Sequence, residues 1–206
     1  MLTYRTPRTK GLAITATVVL ISGLTLAGCS TSSPDTSTPA TTSASSNTFL
    51  AEYDLAGLDG AQIVDRLDST PVADRPTTLM ASVRPDVLVL SAEQGQEVRL
   101  PMPTDEFYVS IAPYEDKTHD CYNHSLTTCL GELRNAEVQV ALTDNETGEV
   151  LVDETKTTFD NGFVGLWIPR DIEATLTITR EGRTGTATIS TMNDDDPTCI
   201  TTLQLT

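Results

Sequence analysis

The segment Phe107-Tyr-Val-Ser-Ile-Ala-Pro-Tyr114 opens with five residues in which Phe107, Val109 and Ile111 alternate with Tyr108 and Ser110. This period of two is the pattern of a β-strand with a buried face. The chain then runs into a loop, Thr118-His-Asp-Cys-Tyr-Asn-His-Ser-Leu-Thr-Thr-Cys129. Because a strand leads directly into it, the loop is expected to be anchored on a rigid scaffold, as functional loops usually are.

This loop concentrates the soft metal ligands of the chain. It holds two of the four cysteines, Cys121 and Cys129, and both histidines, His119 and His124. Thiolate and imidazole donors suit Cu(I), Zn(II) or thiol redox chemistry, whereas calcium and magnesium prefer oxygen ligands. The working hypothesis is therefore a metal-thiolate site.

The sequence on both sides of the loop predicts a mainly β fold of the α+β class. Short alternating runs begin at Thr78, and beyond Leu133 further runs are separated by turn signals such as Asp160-Asn-Gly162. We expect antiparallel strands, a sandwich-like C-terminal half at residues 134–206, and the Cys/His loop between the halves. The absence of a βαβ pattern argues against a nucleotide-binding α/β fold.

One short helix is predicted before the strands. Asp59 is a good N-cap and Gln62 stands where the second residue of a capping box would be. Ile63, Val64 and Leu67 would form its buried face. The charged residues of this helix are expected to be solvated, and no functional residue is expected there.

The last predicted strand contains the fourth cysteine. In Cys199-Ile-Thr-Thr-Leu-Gln-Leu205, a period of two places Cys199 on the same buried face as Leu203 and Leu205. Cys199 should then point inward and meet Cys121 and Cys129 where their loop folds over the end of the sheet. Such a set of thiolates, with or without an imidazole, favours Cu(I).

The N-terminus predicts export. Residues 1–28 combine the basic residues Arg5, Arg8 and Lys10 with an apolar run, and end at Leu26-Ala-Gly-Cys29. This ending resembles the lipobox of bacterial lipoproteins, which implies cleavage before Cys29 and lipidation of its side chain. An ordinary signal peptide cut nearby is the alternative. The lipoprotein interpretation places the protein outside the cytoplasm, anchored to the outer face of the cell membrane.

Composition separates a tether from a folded domain and narrows the classes of partner. Residues 29–48 are rich in Ser, Thr, Pro and Ala, which predicts a disordered tether. Residues 49–206 are enough to bury roughly 70% of the unfolded surface, so the domain does not need disulfides.

Removing the three basic residues of a leader without acidic ones takes the net charge from −16 to −19. Such a charge argues against nucleic acid and attracts metal cations.

The cysteine count leaves several interpretations open. If Cys29 carries lipid, three cysteines remain, an odd number in an oxidising location. Structural zinc is one alternative, although the Cys121 to Cys129 spacing does not match the usual zinc knuckles. A structural disulfide with an inert third thiol is a second, and a redox-active dithiol is a third.

Several blocks of the chain resemble the CueP family of exported bacterial copper-binding proteins. They are Phe107–Tyr114, Thr118–Cys129, Gly131–Leu133, Asn161–Arg170 and Thr198–Leu205, within a match from about Leu58 to the C-terminus. The resemblance implies copper binding in copper resistance, with the three family cysteines at Cys121, Cys129 and Cys199. It also implies a role in handing copper to a secreted cuproenzyme, and reduction of Cu(II) or Fe(III) by the thiols.

The resulting prediction is a membrane-tethered protein that sequesters or transfers Cu(I), without being an enzyme. Cys121, Cys129 and Cys199 are the predicted thiolate ligands, and His119 or His124 the accessory donors. The competing class is a thiol-dependent Cu(II)/Fe(III) reductase or a thiol-disulfide redox protein, served by a thiol reductant. The sequence does not determine which cysteines pair at rest, whether the domain forms a homodimer, or which protein receives the metal.

Overall fold

The computed structural model describes residues 40–206, and their side chains from residue 45 onward. The predicted signal peptide, Cys29 and the tether up to residue 39 lie outside the described residues. Within residues 40–206, no helix is both long and apolar enough to cross a membrane. The two α-helices are α1 (Ala40–Glu52) and α2 (Gly60–Asp68), followed by a 3-10 turn at Val72–Asp74.

Ten strands between residues 40 and 206 confirm the mainly β prediction. They are β1 (Leu79–Val83), β2 (Val87–Ala92), β3 (Glu97–Pro101), β4 (Glu106–Ile111), β5 (Glu137–Asp144), β6 (Val150–Thr157), β7 (Val164–Pro169), β8 (Glu173–Arg180), β9 (Arg183–Ser190) and β10 (Cys199–Ile200). They form three sheets with the strand orders β1-β2-β3, β10-β4-β7 and β6-β5-β8-β9. All pairings are antiparallel except that of β10 with β4.

A sandwich forms between the sheet β10-β4-β7 and the sheet β6-β5-β8-β9. Phe107, Val109 and Ile111 of β4 share one apolar core with residues of β5, β7 and β8. The sandwich therefore includes a strand that precedes the Cys/His loop, as well as the strands that follow it. Tyr108, on the other face of β4, belongs to a second core formed with the helices and β1-β2-β3. Strand β4 is thus buried on both faces, and the loop that follows it contributes Leu126 to the second core.

Helix α2 begins as the sequence predicts. The Asp59 side chain accepts a hydrogen bond from the Gln62 backbone N–H at 2.9 Å, and the Gln62 side chain accepts one from the Asp59 N–H at 3.0 Å. Ile63, Val64 and Leu67 are buried, as expected. The expectation that its charged residues are solvated is wrong for Asp68, which is fully buried at the end of the helix.

Helix α1 occupies the last part of the predicted tether. Its residues 40–48 come from the Ser/Thr/Ala-rich segment, yet the helix runs on to Glu52. The reason is tertiary, because Phe49 and Leu50 near its end are buried in the second core. Packing of this kind stabilises a helix whose own sequence gives little sign of one.

The C-terminal segment differs from the strand that its alternation predicts. Strand β10 is only two residues long, and Ile200, not Cys199, shares the sandwich core with Leu203 and Leu205. Cys199 faces the opposite way, against Ala112 and Phe163. The period of two fails because the chain leaves extended pairing after Ile200. The expected burial of Cys199 is nevertheless observed.

Candidate metal centre

Backbone hydrogen bonds fix the loop at two places. The Val83 N–H donates to the His124 carbonyl at 2.8 Å, and the Leu126 N–H donates to the Ala81 carbonyl at 2.9 Å, so the loop borders strand β1. On its other side the Cys199 N–H donates to the Tyr122 carbonyl at 3.1 Å. The loop is therefore held between β1 and β10.

This attachment brings four ligand residues together. One ligand atom each from Cys121, His124, Cys129 and Cys199 lies within 4.8 Å of all the others. Cys121 and Cys199 form a disulfide with their Cα atoms 5.7 Å apart, and Cys129 is free. The Cys129 Sγ lies 3.5 Å from the Cys121 Sγ. The structure thus places the three predicted cysteines and one of the two predicted histidines around one point.

His119 lies outside this group. Its side chain is exposed, and its ring lies edge-on to Phe163 with 6.2 Å between centroids. Together with Cys129 it lines an open cleft of about 520 Å³. His119 therefore stands at an approach to the cysteine group.

His124 is fully buried beside the sulfur atoms. Its Nε2–H donates to Asp68 Oδ1 at 2.9 Å, and its Nδ1 lies 3.8 Å from the Cys199 Sγ. The ring of Phe163 packs against the imidazole with 4.5 Å between centroids. Burial acts to lower the pKa of His124, but the charge and hydrogen bond of Asp68 outweigh it and raise the pKa to about 9.

Asp68 is a functional candidate that the sequence did not reveal. Besides His124, its carboxylate accepts hydrogen bonds from Tyr108 Oη at 2.6 Å, Asn161 Nδ2 at 2.7 Å and Ser110 Oγ at 3.2 Å. Burial alone would raise the pKa of Asp68, but His124 and these donors hold it below its ordinary value. One signal was available, because Asp68 follows Val64 by four positions and so falls on the buried face of α2.

Cys129 is the half-buried free thiol of the group. The Ser125 N–H points at its Sγ at 3.4 Å. Burial acts to raise the pKa of Cys129, but the hydrogen bond and charge of His124 and the Ser125 N–H lower it below the usual thiol value. A larger thiolate fraction at neutral pH favours both metal binding and nucleophilic attack.

Arg75 supplies a buried positive charge next to the group. Its Nη1 donates to the Cys129 carbonyl at 2.9 Å, and its Nη2 lies 4.0 Å from Asp68 Oδ1. Its Nε and Nη2 have no hydrogen-bond partner among the described residues. Burial lowers the pKa of Arg75, and the Asp68 charge acts in the opposite direction. Arg75 therefore adds a cation to a group that gains negative charge when its thiols ionise.

The donor chemistry of the group fits a soft metal ion. Three sulfur atoms and one imidazole nitrogen are the donors of the group, and carboxylate oxygen, the donor preferred by calcium and magnesium, is not among them. A disulfide is not a thiolate ligand, so the arrangement offers its full set of donors only after the Cys121–Cys199 bridge is reduced.

Comparisons with known proteins agree with this chemistry. The family model described as "Periplasmic copper-binding protein CueP" matches residues 62–204. A solved structure described as "Crystal Structure of S.CueP" is 42% identical in sequence and superposes with a TM-score of 0.73. That match covers 79% of this chain and 98% of the solved one. No match was found among curated proteins.

Proposed function

The chain belongs to the CueP family of periplasmic copper-binding proteins, and on this premise we propose that it holds Cu(I) in the Cys/His group. The family match confirms the resemblance seen in the sequence. Its description names copper as the metal that the family binds. The observation that carries the proposal is the convergence of four soft donors within 4.8 Å. Cu(I) favours such thiolate and imidazole ligands over oxygen.

In this proposal the three cysteines act as thiolate ligands and the histidines assist. Reduction of the Cys121–Cys199 disulfide takes up two electrons and two protons and yields two thiols. Together with Cys129 these thiols lose their protons when the metal binds. His124, inside the group, is the proposed fourth donor, and His119 on the cleft is the proposed accessory donor during entry.

The wider setting is also part of the proposal. Lipidation of Cys29 would hold the domain at the outer face of the cell membrane, with the segment up to α1 as the tether. The family's periplasmic location supports an extracytoplasmic site of action. A secreted cuproenzyme is the proposed metal recipient, and a thiol reductant is the proposed source of electrons.

A second function, metal reduction, is favoured by one observation. The free Cys129 Sγ lies 3.5 Å from a disulfide sulfur, and the sulfur atoms of Cys121, Cys129 and Cys199 all lie within 4.8 Å of one another, so any two of them are within reach of pairing. Oxidation of two thiols to a disulfide releases two electrons and two protons and reduces two Cu(II) or two Fe(III) ions. Incubating the reduced protein with Cu(II) and a supply of reductant separates the functions. Repeated turnover supports a reductase, and a single stoichiometric reaction supports a carrier.

The binding proposal is tested by competition for Cu(I) with a coloured chelator under anaerobic, reducing conditions. The Cys121→Ser, Cys129→Ser double variant should lose high-affinity binding. Met80→Leu is the matched control. Met80 is 51% exposed, and the sulfur that this substitution removes does not belong to the group. Equal affinity of the double variant and the unaltered protein would refute the proposal.

A further inference from the structure

We infer that Asp68 is a positioning residue of the copper site, which holds His124 so that Nδ1 faces the metal. This inference rests on the proposed function. It adds which nitrogen of the His124 ring binds the metal and which residue selects that nitrogen. Asp68 itself does not belong to the four-residue ligand group. It acts only through the imidazole.

His124 keeps a proton on the ring nitrogen that faces Asp68. Its Nε2 lies 2.9 Å from Asp68 Oδ1, and both side chains are fully buried. An ionised carboxylate can only accept hydrogen bonds, so Nε2 must carry the proton. Nδ1, which gives up its own proton when a metal binds, is then the nitrogen left for coordination, and it already lies 3.8 Å from the Cys199 Sγ.

Asp68 is held in place by donors from other parts of the chain. Its Oδ2 accepts the Tyr108 hydroxyl at 2.6 Å, and its Oδ1 also accepts the Asn161 side-chain amide at 2.7 Å. These donors come from strand β4 and from the turn before β7, whereas Asp68 ends helix α2. Three separate parts of the chain therefore fix one carboxylate where no solvent competes for it.

The neighbours of the His124 ring confine it to one orientation. Rotating the His124 ring by 180° would place a C–H against Asp68 Oδ1 and a carbon toward the sulfur atoms. The Phe163 ring, 4.5 Å from the imidazole centroid, limits this rotation sterically. Asn161 fixes that neighbour as well, because its Oδ1 accepts the Phe163 backbone N–H at 2.9 Å. Asn161 thus holds both the carboxylate and the aromatic ring that confine His124.

Partners that orient metal-binding histidines typically contribute 10–100-fold to affinity. Asp68→Asn keeps the shape of the side chain and removes its charge, and it should weaken Cu(I) affinity by about 10–100-fold. Asp65→Asn is the matched control. It removes the charge of an exposed carboxylate on the same helix, whose hydrogen bond comes from Trp167 Nε1 and not from His124, so affinity should change little.

A double-mutant cycle separates positioning from general damage. Asp68→Asn should have no further effect on Cu(I) affinity in a His124→Ala background, because the residue through which it acts is gone. An equal loss in both backgrounds would overturn the inference, since Asp68 would then act independently of His124.

The unaltered protein provides a test that does not depend on any variant folding. Long-range ¹H–¹⁵N NMR of the diamagnetic Cu(I)-loaded protein reports the state of each His124 nitrogen. The proton should reside on Nε2, and the Nδ1 resonance should show the shift of a metal-bound nitrogen. Tight copper binding with Nε2 coordinated, or with neither nitrogen coordinated, would overturn the inference while leaving the proposed function standing. Absence of copper binding would refute both.

Discussion

The Sγ atom of Cys129 lies 3.5 Å from the Sγ atom of Cys121, which is itself bridged to Cys199. A free thiol at this distance from a disulfide is in contact with the sulfur that it would attack in thiol-disulfide exchange. Of the three cysteines, Cys129 lines the open cleft, Cys121 is half-buried and Cys199 is buried. The geometry thus distinguishes one free thiol at the cleft from a bridge whose Cys199 end is buried.

Cys129 should react with iodoacetamide at lower pH than an ordinary thiol. Its pKa is lowered because His124 and the Ser125 N–H stabilise the thiolate more than burial destabilises it. The pH dependence of the alkylation rate of the oxidised protein, followed by mass spectrometry, measures this directly. His124→Ala should move the midpoint upward.

His119→Ala serves as the control for that experiment. His119 lines the same cleft but lies outside the group, so its removal should leave the midpoint where it is. A midpoint in the unaltered protein no lower than that of a free cysteine would contradict the account of Cys129.

The stability of the oxidised, metal-free protein should fall at alkaline pH. The pKa of His124 rises from 6.5 in the unfolded chain to about 9 in the folded one. Its charge therefore stabilises the fold fully below pH 6.5, and this contribution is lost as the pH rises through 9. The loss is on the order of 3 kcal/mol. Denaturant unfolding between pH 6 and pH 10 measures it.

The loss of the ion pair between Asp68 and His124 should also lower the stability of the protein in acid, where Asp68 rather than His124 loses its charge. The pKa of Asp68 is lowered on folding, so its stabilising contribution is present above its unfolded pKa of 3.8 and is lost as the pH falls through the folded value. His119→Ala should keep both limbs of the pH profile, whereas His124→Ala should flatten the alkaline limb. An alkaline limb that persists in His124→Ala would show that another group is responsible.

Reduction of the disulfide should destabilise the metal-free domain, and Cu(I) should restore the loss. The bridge joins residues separated by 78 positions. In the chain-entropy account, closing a loop of that length in the unfolded state is worth about 4 kcal/mol. Free energies of unfolding of the oxidised, reduced and reduced Cu(I)-loaded protein give the comparison. Cu(I) that binds only the folded state adds stability by mass action. Failure of Cu(I) to raise the stability of the reduced protein would contradict the account.

Leu126 should be the apolar anchor of the loop. It is completely buried in the second core, and its N–H is bonded to strand β1. Leu126→Ala should cost about 2–5 kcal/mol of stability. It should also weaken copper binding, because it loosens the segment between His124 and Cys129. Chemical unfolding and chelator competition measure the two effects.

Leu130→Ala is the matched control, since Leu130 directly follows the loop but is 50% exposed. Its effect on stability should stay within about 0.5 kcal/mol. Comparable losses in the two variants would mean that burial of Leu126 is not what anchors the loop.

The features predictable from the sequence are those encoded by local patterns. The capping box of Asp59 and Gln62 depends on residues three positions apart, and the alternation in β4 on neighbours two apart. The crowding of Cys121, His124 and Cys129 is likewise local. These features needed no knowledge of how distant segments pair.

The features that escaped prediction depend on contacts between distant segments. Asp68 meets His124 across 56 positions and Asn161 across 93, and no periodicity indicates either contact. Arg75 reaches Cys129 across 54. The predicted face of Cys199 is wrong because the strand that begins there ends after two residues, so the alternation does not continue to Leu203. The buried partners of the site therefore had to come from the tertiary structure.

X-ray absorption at the copper edge of the reduced, Cu(I)-loaded protein is the most direct test of a site built from Cys121, Cys129, Cys199 and His124. The account predicts a first coordination shell dominated by sulfur, with a nitrogen contribution that disappears in His124→Ala and persists in His119→Ala. A shell dominated by oxygen or nitrogen in the unaltered protein, or one that is unchanged in the Cys121→Ser, Cys129→Ser variant, would contradict it.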